Sequence, residues 1–449
     1  MKIVRPEEFY SETPPPRIIG TESECSIQSG NNYDLQQYIL PKSLRRSGIK
    51  SANGFLDNGY RLYVDVGHLE IDTPECLGPR QAAAADYAAV LLLGKIVENS
   101  TVQYDGLYRF TGTEINGEGC TNGYHENFMI PSSIANSKLL DIIYASHLAS
   151  RIWSFAGAVT TKFNLSQKIK DISGRPLERH DQSRRLSNKP MAMIPSLDQD
   201  TIGNTNDWSR LEVRFADTGF SLTARYLSLA AGSLVLRLIE HKNIVDTENL
   251  IKSSFKKPLE AANRFNLALS FKETALTIGG KTISALDYQK LLASEAKLLS
   301  EKIELPEDEA KAIDLWISVC DQLSQADLSS GQYEGLLKVL DFPIRHFYLT
   351  SRFPEEIINS HNADVVQANI MWDRISPIGG GMTYWSRIKS DYVSDDDVKR
   401  ALTKPPKTRA SIRSSIISTN SIRSLDNTTW SYTDVNGSRV NFGDPYDSY

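Results

Sequence analysis

The sequence predicts an α+β protein: strands that share a charged face, long apolar helices, and a small C-terminal unit. Three observations carry that prediction. Short segments set charged side chains at every second position against apolar ones, the period of a strand with one wet face. Residues 79–97 and 222–239 are long apolar runs that read as buried helices. Beyond about residue 389 the chain turns to Lys404-Pro-Pro-Lys-Thr-Arg-Ala-Ser-Ile-Arg413 and a terminal Trp430-Ser-Tyr-Thr-Asp-Val435, which read as a separate piece.

Residues 1–16 are polar and proline-ended, an expected flexible leader, with order beginning at Arg17. In residues 17–27, Ile19, Thr21, Ser23 and Cys25 fall on one face and Gly20, Glu22 and Glu24 on the other, giving a strand with two carboxylates on one side. Asp57-Asn-Gly-Tyr60 is a turn signal. The strand after it alternates Leu62 and Val64 with Arg61, Tyr63 and Asp65, and Glu70 follows close behind. The helix at 79–97 has a proline near its start. A strand around 107–113 leads into a Gly-rich loop at 115–123, followed by His125 and Glu126. Residues 209–217 carry Arg210, Glu212 and Arg214 in another strand-like pattern. From about 245 to 385 the pattern is mainly helical, with residues 284–303 repeating apolar positions at helical spacing. Gly379-Gly-Gly381 marks a break. The expected division is a leader at 1–16, a main domain at 17–388 and a small C-terminal domain at 389–449.

Composition narrows the function. The 449 residues are 40% hydrophobic and 23% charged, with a formal net charge of -5. An acidic chain of this kind disfavours a general nucleic-acid role, and no nucleic-acid partner is expected. Cys25, Cys76, Cys120 and Cys320 are far apart with no CxxC pair, which argues for reduced thiols and against a zinc site. The first residues lack the apolar core of a signal peptide, and the run AAAADYAAVLLLG is too short and interrupted to span a bilayer. A cytoplasmic protein with no membrane partner is therefore expected.

Four polar-faced segments stand out: Glu22 with Glu24; Arg61, Tyr63, Asp65 and Glu70; His125 with Glu126; and Arg210, Glu212 and Arg214. Taken singly, each reads as a solvated strand face or a half-buried histidine. Together they describe a sheet whose concave face is lined with carboxylates and arginines. Carboxylates crowded on one face repel unless they share a cation. Mg2+ takes oxygen ligands and keeps a substrate phosphate in its shell, while arginines grip phosphate oxygens bidentately. The set points to an ATP site. Gly117, Gly119 and Gly123 match neither a Walker A loop nor a dinucleotide fingerprint, and the basic stretch 167–185 reads as solvated surface.

Residues 210–214, RLEVR, resemble the arginine-hydrophobe-glutamate-hydrophobe-arginine element of glutamine synthetases. More fully, the sequence resembles the Pup ligase and depupylase family, which is built on the glutamine synthetase-like fold. The matching pieces, in chain order, are GTESE (20–24), NGYRLYVDVG (58–67), HLE (68–70), TPEC (73–76), GYHEN (123–127) and KPPKTRA (404–410). The resemblance implies a curved antiparallel sheet packed with helices, plus the small C-terminal domain. It implies magnesium ligands at Glu22, Tyr63 and Glu70 with Glu24 close by, and the glutamine synthetase likeness adds Glu212. Arg61 and Thr73 would contact ATP, Arg210 and Arg214 would face its phosphates, and Trp430 would pack on the nucleotide. Asp65 matches the catalytic aspartate. Two departures stand beside these matches: the family's Arg-Asp-Glu-Pro-His-Ala-Asp run is replaced by NKPMAMIPSLD at 188–198, and Glu212 stands where the family has histidine.

The activity implied is ATP-dependent phosphorylation of the C-terminal glutamate of a small Pup-like modifier, followed by attack of a target-protein lysine. Asp65 would take the proton from that lysine. Three other readings stay open: a depupylase or deamidase, a glutamine synthetase-like ligase for small molecules, and a nucleotide-binding pseudoenzyme. Ligation is favoured because the span from Glu24 to Arg61 is too short for the insertion that depupylases carry there. The tight spacing from Asp65 to Glu70 and the TPEC form lean the other way.

Overall fold

The computed structural model describes residues 4–28, 54–65, 68–98, 106–108, 122–159, 163–166, 193–196, 207–215, 217, 219–266, 271–360, 362–375, 380–420, 425–426 and 428–447. Strand β1 (Ile18–Gln28) organises the sheet. Its alternation is as expected: Ile19, Thr21, Ser23 and Cys25 are buried, while Gly20, Glu22 and Glu24 face the partly exposed side. On one flank it pairs with β3 (His68–Asp72), which pairs onward with β2 (Arg61–Asp65); the short β4 (Cys76–Leu77) and β5 (Gly106–Tyr108) also pair with β1. On the other flank lies β6 (Tyr124–Pro131). After the ribbon of β7 (Ala158–Val159) and β8 (Phe163–Asn164), β9 (Met193–Ser196) and β10 (Trp208–Val213) complete the sheet, in the order β2-β3-β1-β6-β10-β9. All its pairings are antiparallel. The expected turn before β2 is present, with Gly59 at φ +94°, a left-handed conformation that suits glycine.

The register decides which side chains meet. Arg61 on β2 lies opposite Asp72 on β3, Asp72 opposite Glu22 on β1, and Glu22 opposite His125 on β6. A second row runs from Tyr63 to Glu70 to Glu24, and a third from Gly20 to Asn127 to Glu212. Side chains directly opposite across a ladder stand about 5 Å apart on one face, so three polar rows share one surface.

Helix α1 (Gly78–Glu98) packs on β1 and against helix α2 (Leu222–Glu240). The buried Ala82, Ala83, Ala84, Ala85, Ala88 and Ala89 let α1 approach closely. Asp86 in the middle of α1 is fully buried, accepts a hydrogen bond from Thr21 Oγ1 at 3.0 Å and pairs with Arg225 of α2. Among the described residues α2 alone is long and apolar enough to cross a membrane, yet 94% of that stretch is buried inside the protein, so it reads as a core helix. Its polar residues are bonded within the core: Ser228 to Glu126, Ser233 and Arg237 to Glu309, and Glu240 to Arg17. Helices α3 (Ala285–Ser300) and α4 (Glu307–Gln325) continue the helical part, with Ser284 and Asp287 forming a capping box at the start of α3. Just before α3, the hairpin of β11 (Thr274–Leu276) and β12 (Thr282–Ser284) interrupts the run of helices.

Two expectations are corrected. Order does not wait for Arg17: Pro6–Tyr10 forms a 3-10 turn, and Phe9 is fully buried, edge-on to Trp208 with ring centroids 5.2 Å apart. The guanidinium groups of Arg17 and Arg237 lie 5.0 and 4.8 Å from the Phe9 centroid. Glu126 does not share the polar face with His125. Consecutive strand residues point to opposite sides, and Glu126 is buried beneath the sheet, where Arg151 Nη1 donates to it at 2.7 Å and Ser228 Oγ at 2.6 Å.

The C-terminal part comprises α5 (Asp395–Thr403), which packs on α1, then α6 (Arg409–Thr419) and a small antiparallel sheet of β13 (Leu425–Asp426), β14 (Tyr432–Val435) and β15 (Ser438–Asn441). The Gly-rich loop up to residue 121, the basic stretch 167–185 and the departure at 188–192 lie outside the described residues.

Candidate active site

The three polar rows floor a cavity of about 470 Å³, whose far wall is made by Arg409, Thr428, Thr429, Trp430 and Pro445 from the C-terminal part. Glu22 is its hub. His125 Nδ1 donates to Glu22 Oε2 at 2.7 Å, while Asn127 Nδ2 and Arg210 Nη1 each donate to Oε1 at 3.0 Å. Glu212 accepts from Arg210 Nη2 at 3.2 Å and pairs closely with Arg214; its Oε1 is 3.6 Å from His125 Nδ1. The ligand atoms of Glu22, His125 and Glu212 all lie within 4.8 Å of one another.

The neighbouring rows are anionic and poorly compensated. Burial, and then the charge of Glu22, push the Glu70 carboxyl up to about 7. Burial, Glu22 and Glu70 push Asp72 up as well, against the opposing pull of Arg61. Burial, Asp72 and Glu70 raise the Tyr63 phenol. Glu22 goes the other way: burial opposes its ionisation, but the hydrogen bond and charge of His125, with Arg210 and Arg214, bring it down to about 2. Among the described residues, the buried atoms Asp72 Oδ1 and Arg61 Nε have no hydrogen-bond partner. The Arg61 guanidinium sits 3.9 Å from Asp72 Oδ2 and 4.2 Å from the Tyr63 ring centroid.

The expected residues fall into three groups. Glu22, Arg61, Tyr63, Glu70, Thr73, Arg210, Glu212, Arg214 and Trp430 all line the cavity. The Thr73 hydroxyl is engaged with β1, accepting from Thr21 N at 2.8 Å. Glu24 is on the same sheet face but not in the cavity lining; its Oε2 accepts from Gly123 N at 2.6 Å. A Cβ at residue 123 would meet that carboxylate at 2.5 Å, so a larger residue there would push the Glu24 side chain aside. Asp65 closes β2 with Cα partner His68, and its side chain lies outside the described residues. Lining residues missed as site candidates include Asp72, Asn127 and Glu75. Two of them follow from strand period, because Asp72 stands two residues after Glu70 and Asn127 two after His125.

Solved structures similar to this fold include the complex between the prokaryotic ubiquitin-like protein Pup and its ligase PafA, with TM-score 0.79 and 19% identity over 97% of this chain and 89% of that one. The Pup ligase PafA in complex with ADP matches with TM-score 0.73 and 18% identity, over 91% and 90% of the two chains. Those likenesses establish the shared α+β fold. The family profile described as Pup-ligase protein matches residues 11–433, and the chain belongs to that family. Among its curated relatives, the Pup–protein ligase of Acidimicrobium ferrooxidans is 25% identical over 423 residues, covering 89% of this chain and 88% of the relative. The Pup deamidase/depupylase of Mycolicibacterium smegmatis is 24% identical over 333 residues, covering 72% of this chain and 63% of the relative.

Proposed function

We propose that the chain is an ATP-dependent Pup–protein ligase, which activates the C-terminal glutamate of a small Pup-like modifier and joins it to a lysine of a target protein. The observation that carries this reading is the strand register, which gathers carboxylates, an imidazole and three arginines in one cavity whose lining also includes Trp430. Family membership supports it, and so does coverage: the chain spans 88% of a Pup–protein ligase but 63% of a depupylase.

Two carboxylates and a ring nitrogen converging within 4.8 Å, beside the raised Glu70 and the unpartnered Asp72 Oδ1, fit a divalent cation. Glu22, His125 and Glu212 would hold it, with Tyr63, Glu70 and Glu24 as further oxygen donors. When bound, Mg2+ screens phosphate charge from these carboxylates and helps polarise the transferred phosphoryl group. Arg210 and Arg214 now lean on carboxylates and would turn their guanidinium forks to phosphate oxygens, with Arg61 beside them. Trp430 would face the adenine. Transfer of the γ-phosphoryl group to the glutamate side chain yields an acyl phosphate and ADP. The lysine amine then attacks the acyl carbon, inorganic phosphate leaves, and Asp65 receives the amine's proton.

The division at 17–388 and 389–449 would put this cavity at the seam between the two parts. A cytoplasmic location fits the buried thiols of Cys25, Cys76 and Cys320. A depupylase reading draws on the M. smegmatis relative and the TPEC form. The test supplies purified protein with ATP, Mg2+ and a modifier ending in glutamate, and looks for a lysine adduct by mass spectrometry. Cleavage of a preformed conjugate with no adduct formed would reverse the direction.

A further inference from the structure

Glu75 follows β3 by three residues and reaches into the C-terminal part, where its carboxylate gathers two arginines. Oε1 accepts from Arg409 Nε at 2.8 Å and Arg413 Nη1 at 3.1 Å, and Oε2 accepts from Arg413 Nη2 at 2.7 Å. Thr408 Oγ1 adds a bond to the Glu75 carbonyl at 2.8 Å. Glu75, Arg409 and Arg413 are all buried. Burial alone would raise the carboxyl, but Arg413 and Arg409 outweigh it and bring it down to about 2.

Arg413 passes this anchorage on to the wall of the cavity. Its Nη1 donates to the Trp430 carbonyl at 2.9 Å, and its guanidinium lies 4.8 Å from the Trp430 ring centroid and 4.9 Å from that of Phe55. Phe55 meets the indole edge-on with centroids 5.1 Å apart. The indole is therefore wedged by a cation whose own place is set by a bidentate carboxylate. The phosphate-facing arginines Arg210 and Arg214 make their bonds elsewhere, to Glu22 and Glu212, while Arg61 lies 5.5 Å from the Phe55 centroid but makes no bond to Glu75 or Arg413.

We propose that Glu75 is a positioning residue for the nucleoside end of the cavity, fixing Trp430 through Arg413 so that the adenine meets a preset ring. The proposal rests on the reading of the cavity as an ATP site. Loss of the Glu75–Arg413 fork releases the indole and leaves the polyphosphate end intact, so the nucleoside and phosphate halves of recognition should separate.

The experiment titrates ATP and inorganic tripolyphosphate, each with Mg2+, into the full chain and into Glu75→Gln and Arg413→Lys by calorimetry, alongside steady-state kinetics. Wild type should bind both ligands. The variants should bind ATP about tenfold more weakly, the scale of one lost stacking or cation–π contact, and bind tripolyphosphate unchanged. Their KM for ATP should rise while kcat at saturating ATP holds. Wild type binding neither ligand would remove the ATP reading itself. Wild type binding both, with the variants weakened equally for the two ligands or for neither, would overturn the role of Glu75. Arg413→Lys keeps the charge beside Glu75 but loses the planar fork, so it makes the same comparison if Glu75→Gln does not fold.

Discussion

His125 Nδ1 lies 2.7 Å from Glu22 Oε2 and 3.6 Å from Glu212 Oε1, so one imidazole spans the carboxylates of the two strands beside it. The register sets that geometry. Strand β6 runs between β1 and β10, with Glu22 opposite His125 and Glu212 opposite Asn127 two residues along. Three donors from three neighbouring strands are thereby aimed at one point, held by backbone pairing rather than by a loop.

If that point takes a cation, removing any donor should weaken nucleotide binding only when the metal is present. We expect His125→Ala, Glu22→Ala, Glu70→Ala and Glu212→Ala each to lower affinity for ATP with Mg2+ by about tenfold or more, a loss worth about 1.4 kcal/mol. Calorimetry with and without Mg2+ measures it. Unchanged affinity in all four variants would remove the cation assignment.

The Glu75 carboxyl, brought down to about 2 by Arg413 and Arg409, has a consequence for acid stability. Its folded value lies below the ordinary 4.5, so its contribution is fully present above about pH 4.5 and is lost as pH falls toward 2. At about 1.4 kcal/mol per unit, roughly 3 kcal/mol is at stake. Denaturant titrations at pH 7, 4 and 2.5 should show a steeper acid loss in wild type than in Glu75→Gln. Parallel losses in the two proteins would contradict the pairing.

How far the sequence carried this reading follows from which relationships are local. The two-residue period exposed Glu22, Arg61, Tyr63 and Glu212, because side-chain direction in a strand depends only on position. The same rule, applied strictly, separates His125 from Glu126 and adds Asp72 to Glu70; grouping by proximity in sequence hid both. Phe9 escaped notice because a lone Phe–Tyr pair in a polar stretch has no periodicity, and its partners Trp208 and Arg237 are distant in the chain. Glu75 and Arg413 are 338 residues apart, and no spacing rule joins them. Only the docking of the C-terminal part onto the end of β3 does.

Glu126 offers a control for the polar face. It is buried, and its carboxylate holds Arg151 Nη1 at 2.7 Å beneath the sheet. Glu126→Ala leaves a buried guanidinium without that partner, which costs about 3–5 kcal/mol. Chemical denaturation should register the loss, while ATP affinity of the folded fraction stays at the wild-type level. A variant with normal stability and impaired nucleotide binding would return Glu126 to the cavity side.

The remaining prediction concerns Asp65, the closing residue of β2 two positions after Tyr63. In the proposed reaction the attacking lysine arrives as an ammonium, which has no lone pair, so a base must remove a proton before the amine can reach the acyl phosphate. An aspartate can take that proton and an asparagine of nearly the same shape cannot. Asp65→Asn should therefore bind ATP with Mg2+ as wild type does, since the arginines and the Glu22–His125–Glu212 set are untouched, yet lose adduct formation by about 10²-fold or more. Raising the pH supplies more neutral lysine and should recover part of that rate in the variant but not in wild type. Paired calorimetry and conjugation assays across pH 7 to 9.5 test both halves, and near-wild-type turnover of Asp65→Asn at pH 7 would take Asp65 out of the mechanism.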